Sequence, residues 1–247
     1  MNKKITFALI AHNESLVLKE CLESIKWADE IIFVDCESQD NSIEIASNYT
    51  SKIYKRKNER AVYINKQFAI DQSSGDWIFI IDPDERISQE LKEEIKNAIE
   101  NEEFSAYSMP RKNYYFGKWI KYGGKYPDTQ LRLFKKGKAK FPKSNVHPKI
   151  KVDGKISKLK NPLIHLTVKD TFDYLKKLDF FSSNNANRYL NDKRTIFSAF
   201  IRPFSRFISN YVLKLGFLEG KIGFFVAVMD FLTLFFSAIR YWEKLKK

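Results

Sequence analysis

Cysteine is scarce in this chain of 247 residues: there are two, Cys21 and Cys36, and nothing near them has metal-ligand spacing. A disulfide framework and a cysteine-built metal centre are therefore excluded, and the pair reads as reduced core thiols of a cytosolic protein. Glycine is sparse too, at nine residues. None follows the first apolar run, where a nucleotidyltransferase of related fold would need a glycine-rich phosphate loop; His12-Asn13-Glu14-Ser15 stands there instead. The N-terminus has basic residues before Ile5–Ala11, but that run is short for a signal sequence. No small-residue cleavage site follows it, so a buried strand explains it better.

What is abundant is positive charge and apolar bulk. Lys and Arg number 43 against 30 Asp and Glu, a formal net charge of +13, and 44% of residues are hydrophobic. The second figure excludes a disordered chain and allows one large domain, or one with an appendage. The first calls for an anionic partner: nucleic acid, an anionic membrane surface or a phosphorylated substrate.

The first hundred residues alternate between strand and helix texture. Ile5–Ala11, Glu30–Val34, Ser51–Tyr54 and Trp77–Ile81 read as strands. Ser15–Ile25, a segment running to Tyr49, Ala61–Gln72 and Ser88–Asn101 read as helices, the last with Ser88 as its N-cap. In Ser15–Ile25, Leu16, Leu18, Leu22 and Ile25 are expected to share a face. Such alternation predicts an α/β fold with a parallel or mixed sheet and helices on both faces. Ligands of such sheets bind at the carboxyl ends of the strands. Three of those ends carry acids: Glu14, Asp35 and the pair Asp82/Asp84.

Asp82-Pro83-Asp84 follows an apolar strand directly, and two carboxylates on alternate turn positions can hold one divalent cation against a diphosphate. An acidic turn capping the next helix is the plainer alternative. The segments ITFALIAHNE (5–14), IIFVDCESQDNS (31–42) and GDWIFIIDPDE (75–85) resemble, in order and spacing, the signatures of family 2 glycosyltransferases. More weakly, Tyr126-Pro127-Asp128, Gln130 to Phe134, Val146-His147 and the late Gly216–Gly223 stretch are similar to lipopolysaccharide and lipooligosaccharide core β-glucosyltransferases.

The resemblance implies a GT-A fold, Rossmann-like, and an inverting, metal-dependent transfer of a hexose from a UDP-sugar donor. Glucose from UDP-glucose, passing to a lipid-linked core oligosaccharide acceptor, is its most specific form; capsule or another surface polysaccharide is the alternative. Ala11, Glu14, Asp35, Asn65, Asp82 and Arg132 then fall to donor binding. Asp84 and His147 fall to a divalent metal, Mn2+ or Mg2+, although Pro148 stands where the subgroup has an acid after the histidine. His12 and His165 read as core or strand-end residues. Asp128, ahead of Gln130-Leu131-Arg132, is the expected base toward the acceptor hydroxyl, and Glu85 is the second candidate. Tyr126, Gln130 and Trp119 fall to the acceptor, in an aromatic and basic stretch suited to stacking on sugar rings. Capping by Glu14 or Asp35, a surface-turn Asp128 and a purely structural ion pair at Arg132 are the plainer readings. Three acidic strand ends argue against a nucleic-acid-binding module, since they would repel phosphates unless a cation is present.

These divisions predict a nucleotide-sugar half over 1–103, an acceptor-side sheet and lid over 104–170, and a helical extension over 171–247. Within the extension, Ile196–Leu218 mixes Phe and Ile with Arg202, Arg206 and Lys214, as an amphipathic helix at an anionic membrane interface does. Ile222–Trp242 has the length of a membrane span. Asp230 at its middle favours a helix lying on the membrane or packed on a partner. The expectation is a peripheral protein at the inner face of the bacterial inner membrane.

Overall fold

The computed structural model describes residues 3–59, 61–142 and 149–246. The chain forms two compact units, Met1–Arg111 with Thr129–His165 and Lys112–Asp128 with Leu166–Lys247.

The first unit begins as the sequence predicts: β1 (Ile5–Ala11), α1 (Ser15–Ile25), β2 (Glu30–Asp35), α2 (Ser42–Ser47), β3 (Ile53–Lys55), α3 (Val62–Gln72), β4 (Trp77–Ile81), β5 (Glu85–Arg86) and α4 (Gln89–Ile99). It continues with β6 (Ala106–Met109). The chain then leaves through β7 (Arg111–Tyr115) and β8 (Lys118–Trp119), and returns in β9 (Gln130–Lys135), β10 (Ala139–Lys140), β11 (Lys151–Val152), β12 (Ile156–Lys158) and β13 (Leu163–Val168).

Seven of these strands form one mixed sheet in the order β12-β6-β9-β4-β1-β2-β3. β1 lies parallel to both β2 and β4, while β9 runs antiparallel between β4 and β6. Strand alternation divides the core in two. Phe7, Leu9, Trp77, Phe79 and Ile81 face α1 and α4, whereas Ala8, Ile32, Val34, Ile78 and Ile80 face Ala69 and Ile70 of α3. Both thiols are buried, and burial pushes each upward in pKa, as suits inert core residues.

One expectation changes. Leu16 is 92% exposed, and Val17 and Cys21 join Leu18, Leu22 and Ile25 in the core instead. Residues two apart on a helix of 3.6 residues per turn lie about 200° apart, so Leu16 cannot share the face of Leu18. The two compact units have bounds of their own beside the expected 1–103, 104–170 and 171–247. β9 pairs with β4 and so belongs to the first sheet, while residues 112–128 go with the helical region.

The second unit holds α5 (Thr171–Asn191), α6 (Ile196–Phe207) and α7 (Gly220–Leu245), with a wide helical turn over Ile208–Leu213 and a tight one over Gly216–Glu219. Asp170 caps α5 and Thr195 caps α6. α7 is long and apolar enough to cross a membrane, yet it is also the core of this unit. Ala238 and Tyr241 pack with Ala186, Tyr189 and Ala199, while Val226 and Met229 pack with Tyr115, Ile120 and Val168.

Candidate active site

Parallel pairing brings the carboxyl ends of three strands together, since Ala11 is in register with Asp35 and Leu9 with Ile81. Ala11 is buried, and its carbonyl accepts from Cys36 N (2.8 Å), which ties β1 to the chain leaving β2.

Asp35 is buried beside a cleft of about 320 Å3 that Glu37, Ser38, Ile43, Lys55, Arg56 and Lys57 also line. Its Oδ2 accepts from Ser38 N (3.2 Å), whereas its buried Oδ1 has no protein partner. A carboxylate oxygen in that position is suited to a hydroxyl or imide N–H from a ligand, because leaving it unsatisfied is costly. Asp35 caps no helix. Asp40 does that work: its Oδ2 accepts from Ser15 N at the start of α1, and its Oδ1 accepts from Ser42 N and Oγ at the start of α2. Burial opposes ionisation of Asp40, but these bonds prevail and hold it at about 2. Glu14 occupies the N-cap position of α1 without a side-chain cap bond. Asn65 is buried and shapes the cleft wall from within: Nδ2 donates to Lys57 O (2.8 Å) and contacts Cys36 Sγ (3.2 Å), and Oδ1 accepts from Arg56 Nε (2.9 Å).

The Asp82–Glu85 turn is organised by cations. Lys66 Nζ on α3 donates to Asp82 Oδ1 (2.5 Å), and Arg132 Nη2 on β9 donates to Asp82 Oδ2 (2.7 Å) and Glu85 Oε1 (2.5 Å). Burial works against the Asp82 charge, but the Arg132 and Lys66 charges outweigh it and hold the carboxyl far below the usual range. Glu85 is fully buried; Arg111 Nη1 adds a second cation to its Oε1 (3.2 Å), and Asp82 N donates to its Oε2 (3.0 Å). Thus Glu85 is the counter-charge of two arginines, and its carboxylate is buried against them. At Arg132 the structural ion pair is realised, and its buried Nε has no protein partner.

Asp84 points elsewhere. Its Oδ2 lies 3.4 Å from Nε2 of His165, and both side chains are partly accessible. β13 makes this contact, since His165 pairs with Glu85 across the β5–β13 ladder. An oxygen and an imidazole nitrogen at this separation fit two ligands of one Mn2+ or Mg2+ ion. Among the described residues no three acidic, histidine or cysteine side chains converge, so diphosphate oxygens and water would complete such a shell. His147 lies outside the described residues.

Lys66 goes unremarked in the sequence, and His165 reads there as a core or strand-end residue, yet both side chains contact the Asp82–Asp84 turn. An ammonium on an otherwise ordinary helix gives no local signal, and His165 is distant in sequence from the turn it faces. Its one clue was its place near the start of an apolar strand.

The second unit holds Asp128, Tyr126 and Trp119. Asp128 Oδ2 accepts from Asn113 Nδ2 (3.2 Å), which also donates to Lys125 O (2.9 Å). Thr167 Oγ1 donates to Asn113 Oδ1 (3.1 Å), which fixes the orientation of that amide. The peptide bond between Tyr126 and Pro127 is cis. The Tyr126 ring meets Trp119 edge-on at 5.4 Å, and the ammonium groups of Lys112 and Lys121 sit 4.5 and 4.7 Å from the Trp119 ring. Gln130 belongs to the first unit, where it opens β9 opposite Met109.

Residues 6–152 match the model described as Glycosyl transferase family 2. Over 245 residues, 96% of this chain and 91% of the relative, the sequence is 25% identical to the lipopolysaccharide core biosynthesis glycosyltransferase LpsC of Rhizobium meliloti (strain 1021). It is 32% identical over 143 residues, 56% of this chain and 32% of the relative, to the SPbeta prophage-derived glycosyltransferase SunS of Bacillus subtilis (strain 168). Among solved structures, the mannosyltransferase PcManGT of Pyrobaculum calidifontis, in complex with GDP-Man and Mn2+, is similar with a TM-score of 0.58 at 12% identity, over 99% of this chain and 88% of that one. S. aureus TarS 1–349 in complex with UDP-GlcNAc is similar with a TM-score of 0.52 at 15% identity, over 94% and 81%. The mixed sheet is therefore that of the GT-A fold.

Proposed function

The chain belongs to glycosyl transferase family 2, and from that membership we propose an inverting, metal-dependent hexosyltransferase that adds a sugar, most specifically glucose from UDP-glucose, to a lipid-linked core oligosaccharide. The observation that carries the reading is the unsatisfied oxygen of buried Asp35 at a cleft of nucleoside size, at the carboxyl end of β2, with Asp82 and Asp84 following the carboxyl end of β4 in the same sheet.

Each residue then has a chemical task. Asp35 accepts from the base or ribose of the donor, and Arg56 and Lys57 line the same cleft with positive charge. Lys66 and Arg132 keep Asp82 ionised and fixed, so that its neighbour Asp84 is presented in one orientation. Asp84 and His165 would hold a divalent ion, which when bound would supply positive charge to neutralise the diphosphate leaving group. Asp128 takes the proton of the acceptor hydroxyl as that oxygen attacks the anomeric carbon, and the departing nucleoside diphosphate leaves from the opposite face. Support for this assignment is its acidic position ahead of Gln130-Leu131-Arg132 and the amide of Asn113 that orients it.

The similarity to LpsC over nearly the whole of both chains supports a core-oligosaccharide acceptor over capsule. A lipid-linked acceptor and the basic, apolar C-terminal region together favour work at the inner face of the membrane. The test is calorimetric binding and hydrolysis over a panel of UDP-, GDP- and CMP-sugars with and without Mn2+. Metal-dependent turnover of a UDP-sugar is expected; equal turnover in a chelator would remove the metal from the scheme.

A further inference from the structure

The helix α6 packs inward through Ala199, Pro203 and Phe200, the last against Phe235, yet leaves other large apolar residues outside. Its small residues Ala199 and Pro203 are buried, whereas Phe197, Ile201, Phe204 and Ile208 are 77, 51, 53 and 53% exposed. These four stand at i, i+4, i+7 and i+11, which is one stripe along a helix. The stripe continues in exposed Leu213 and Phe217 past the end of the helix. A soluble surface helix puts its large apolar residues inward, and a contiguous exposed patch of them marks an interaction surface.

Charge says what covers it. Between residues 193 and 229 the chain carries six basic side chains and one acid, Glu219. That acid is buried and paired with Lys118 (2.9 Å), so it does not offset the surface charge. On α6, Ser198 and Ser205 border the stripe, while Arg202 and Arg206 lie farther round, toward the face of buried Ala199 and Pro203, so that their guanidinium groups reach the edge of the stripe only along their long stems. An apolar stripe flanked by serines and arginines matches the layering of a bilayer surface, acyl chains beside phosphates.

The partner helix fixes the mode of binding. Asp230, at the middle of α7, takes Lys125 Nζ at 2.7 and 2.8 Å and Asn210 Nδ2 at 2.7 Å. Burial lowers the Lys125 pKa, but Tyr115 and Asp230 outweigh it and the ammonium stays charged. Crossing a bilayer would require tearing α7 from this ion pair and from its packing on α5.

We propose that α6 and the turn after it lie in the plane of an anionic lipid bilayer. Phe197, Ile201, Phe204 and Ile208 enter the boundary below the headgroups, Arg202 and Arg206 meet the phosphates, and α7 stays within the protein as the layer behind. This deepens the membrane part of the reading above and is independent of its chemistry.

The experiment is co-sedimentation of the full chain, without donor or acceptor, with vesicles of phosphatidylcholine alone or mixed with phosphatidylglycerol. Binding should appear with the anionic vesicles and weaken as salt rises. A triple variant, Phe197→Ser, Ile201→Ser and Phe204→Ser, should bind at least about tenfold more weakly, with an unchanged circular dichroism spectrum. Arg202→Glu with Arg206→Glu should remove the preference for phosphatidylglycerol. Wild-type protein left in the supernatant with anionic vesicles would overturn the proposal, as would undiminished binding of the triple variant. A dimer in light scattering that the triple variant dissolves would instead assign the face to a second copy. Donor hydrolysis measured without vesicles reads the chemistry separately, so failure of one leaves the other standing.

Discussion

His165 Nε2 lies 3.4 Å from Asp84 Oδ2, bringing a strand that starts at residue 163 against a turn that ends at residue 85. That contact pairs the second aspartate of Asp82-Pro83-Asp84 with a nitrogen donor, while the first aspartate is engaged by Lys66 and Arg132. The two carboxylates of the motif therefore have different partners.

Asp84→Ala should abolish transfer and leave the fold unchanged. His165→Ala should raise the Mn2+ concentration needed for half-maximal activity by about ten- to a hundredfold, the scale seen when metal-site contacts are removed. A metal titration reads this directly, and an unshifted midpoint would take His165 out of the metal shell.

Arg132→Met removes the cation shared by Asp82 and Glu85 and leaves a fully buried carboxylate with less compensation. Breaking a buried pair in this way costs about 3–5 kcal/mol, and urea denaturation should show a loss of that order. Lys66→Met touches only the more accessible Asp82 and should cost less stability while weakening donor binding. Equal losses from the two variants would contradict the division of labour between them.

Glu30 gives a pH-dependent test away from the site. Burial alone would raise its pKa, but Lys52, Ser74 and Thr6 bond to the carboxylate and bring it down to about 2 from 4.5. A depressed carboxyl pKa stabilises the fold above the unfolded value, and that contribution fades as pH falls from 4.5 toward 2. Glu30→Gln should therefore be less stable than wild type at pH 7, with the gap closing toward pH 2. Thermal melts across that range test it, and a constant gap would mean that the ionised form matters little.

Asp128→Asn should lower kcat by at least about a hundredfold, the scale of general base catalysis, with the donor KM little changed. Asn113→Ala should lower kcat less, because the amide that orients Asp128 Oδ2 is gone while the carboxylate remains. An Asp128→Asn enzyme with wild-type turnover would move the base elsewhere.

The layered half of the fold was legible because strands buried on both faces write themselves as apolar runs, and three of the four runs lead into an acid, Glu14, Asp35 or Asp82. The Ser88 cap was legible for a similarly local reason, and it is found accepting from Leu91 N (3.2 Å). What stayed hidden was set by distance along the chain. Lys66, Arg111 and His165 acquire their partners only through sheet order, and Glu85 becomes a buried counter-charge once two arginines surround it. Leu16 was misplaced by a helical angle, not by tertiary packing. Asp40, rather than Asp35 or Glu14, became the capping acid because one carboxylate can reach the starts of both α1 and α2.

The most direct test of the central claim is Mn2+-dependent binding of a UDP-sugar to wild-type protein and to Asp35→Ala and Asp84→Ala. Binding of one UDP-sugar that falls in a chelator, in Asp84→Ala and in Asp35→Ala is the predicted result. A folded protein that binds no nucleotide sugar, or binds one equally well with both aspartates removed, would contradict the assignment of this site.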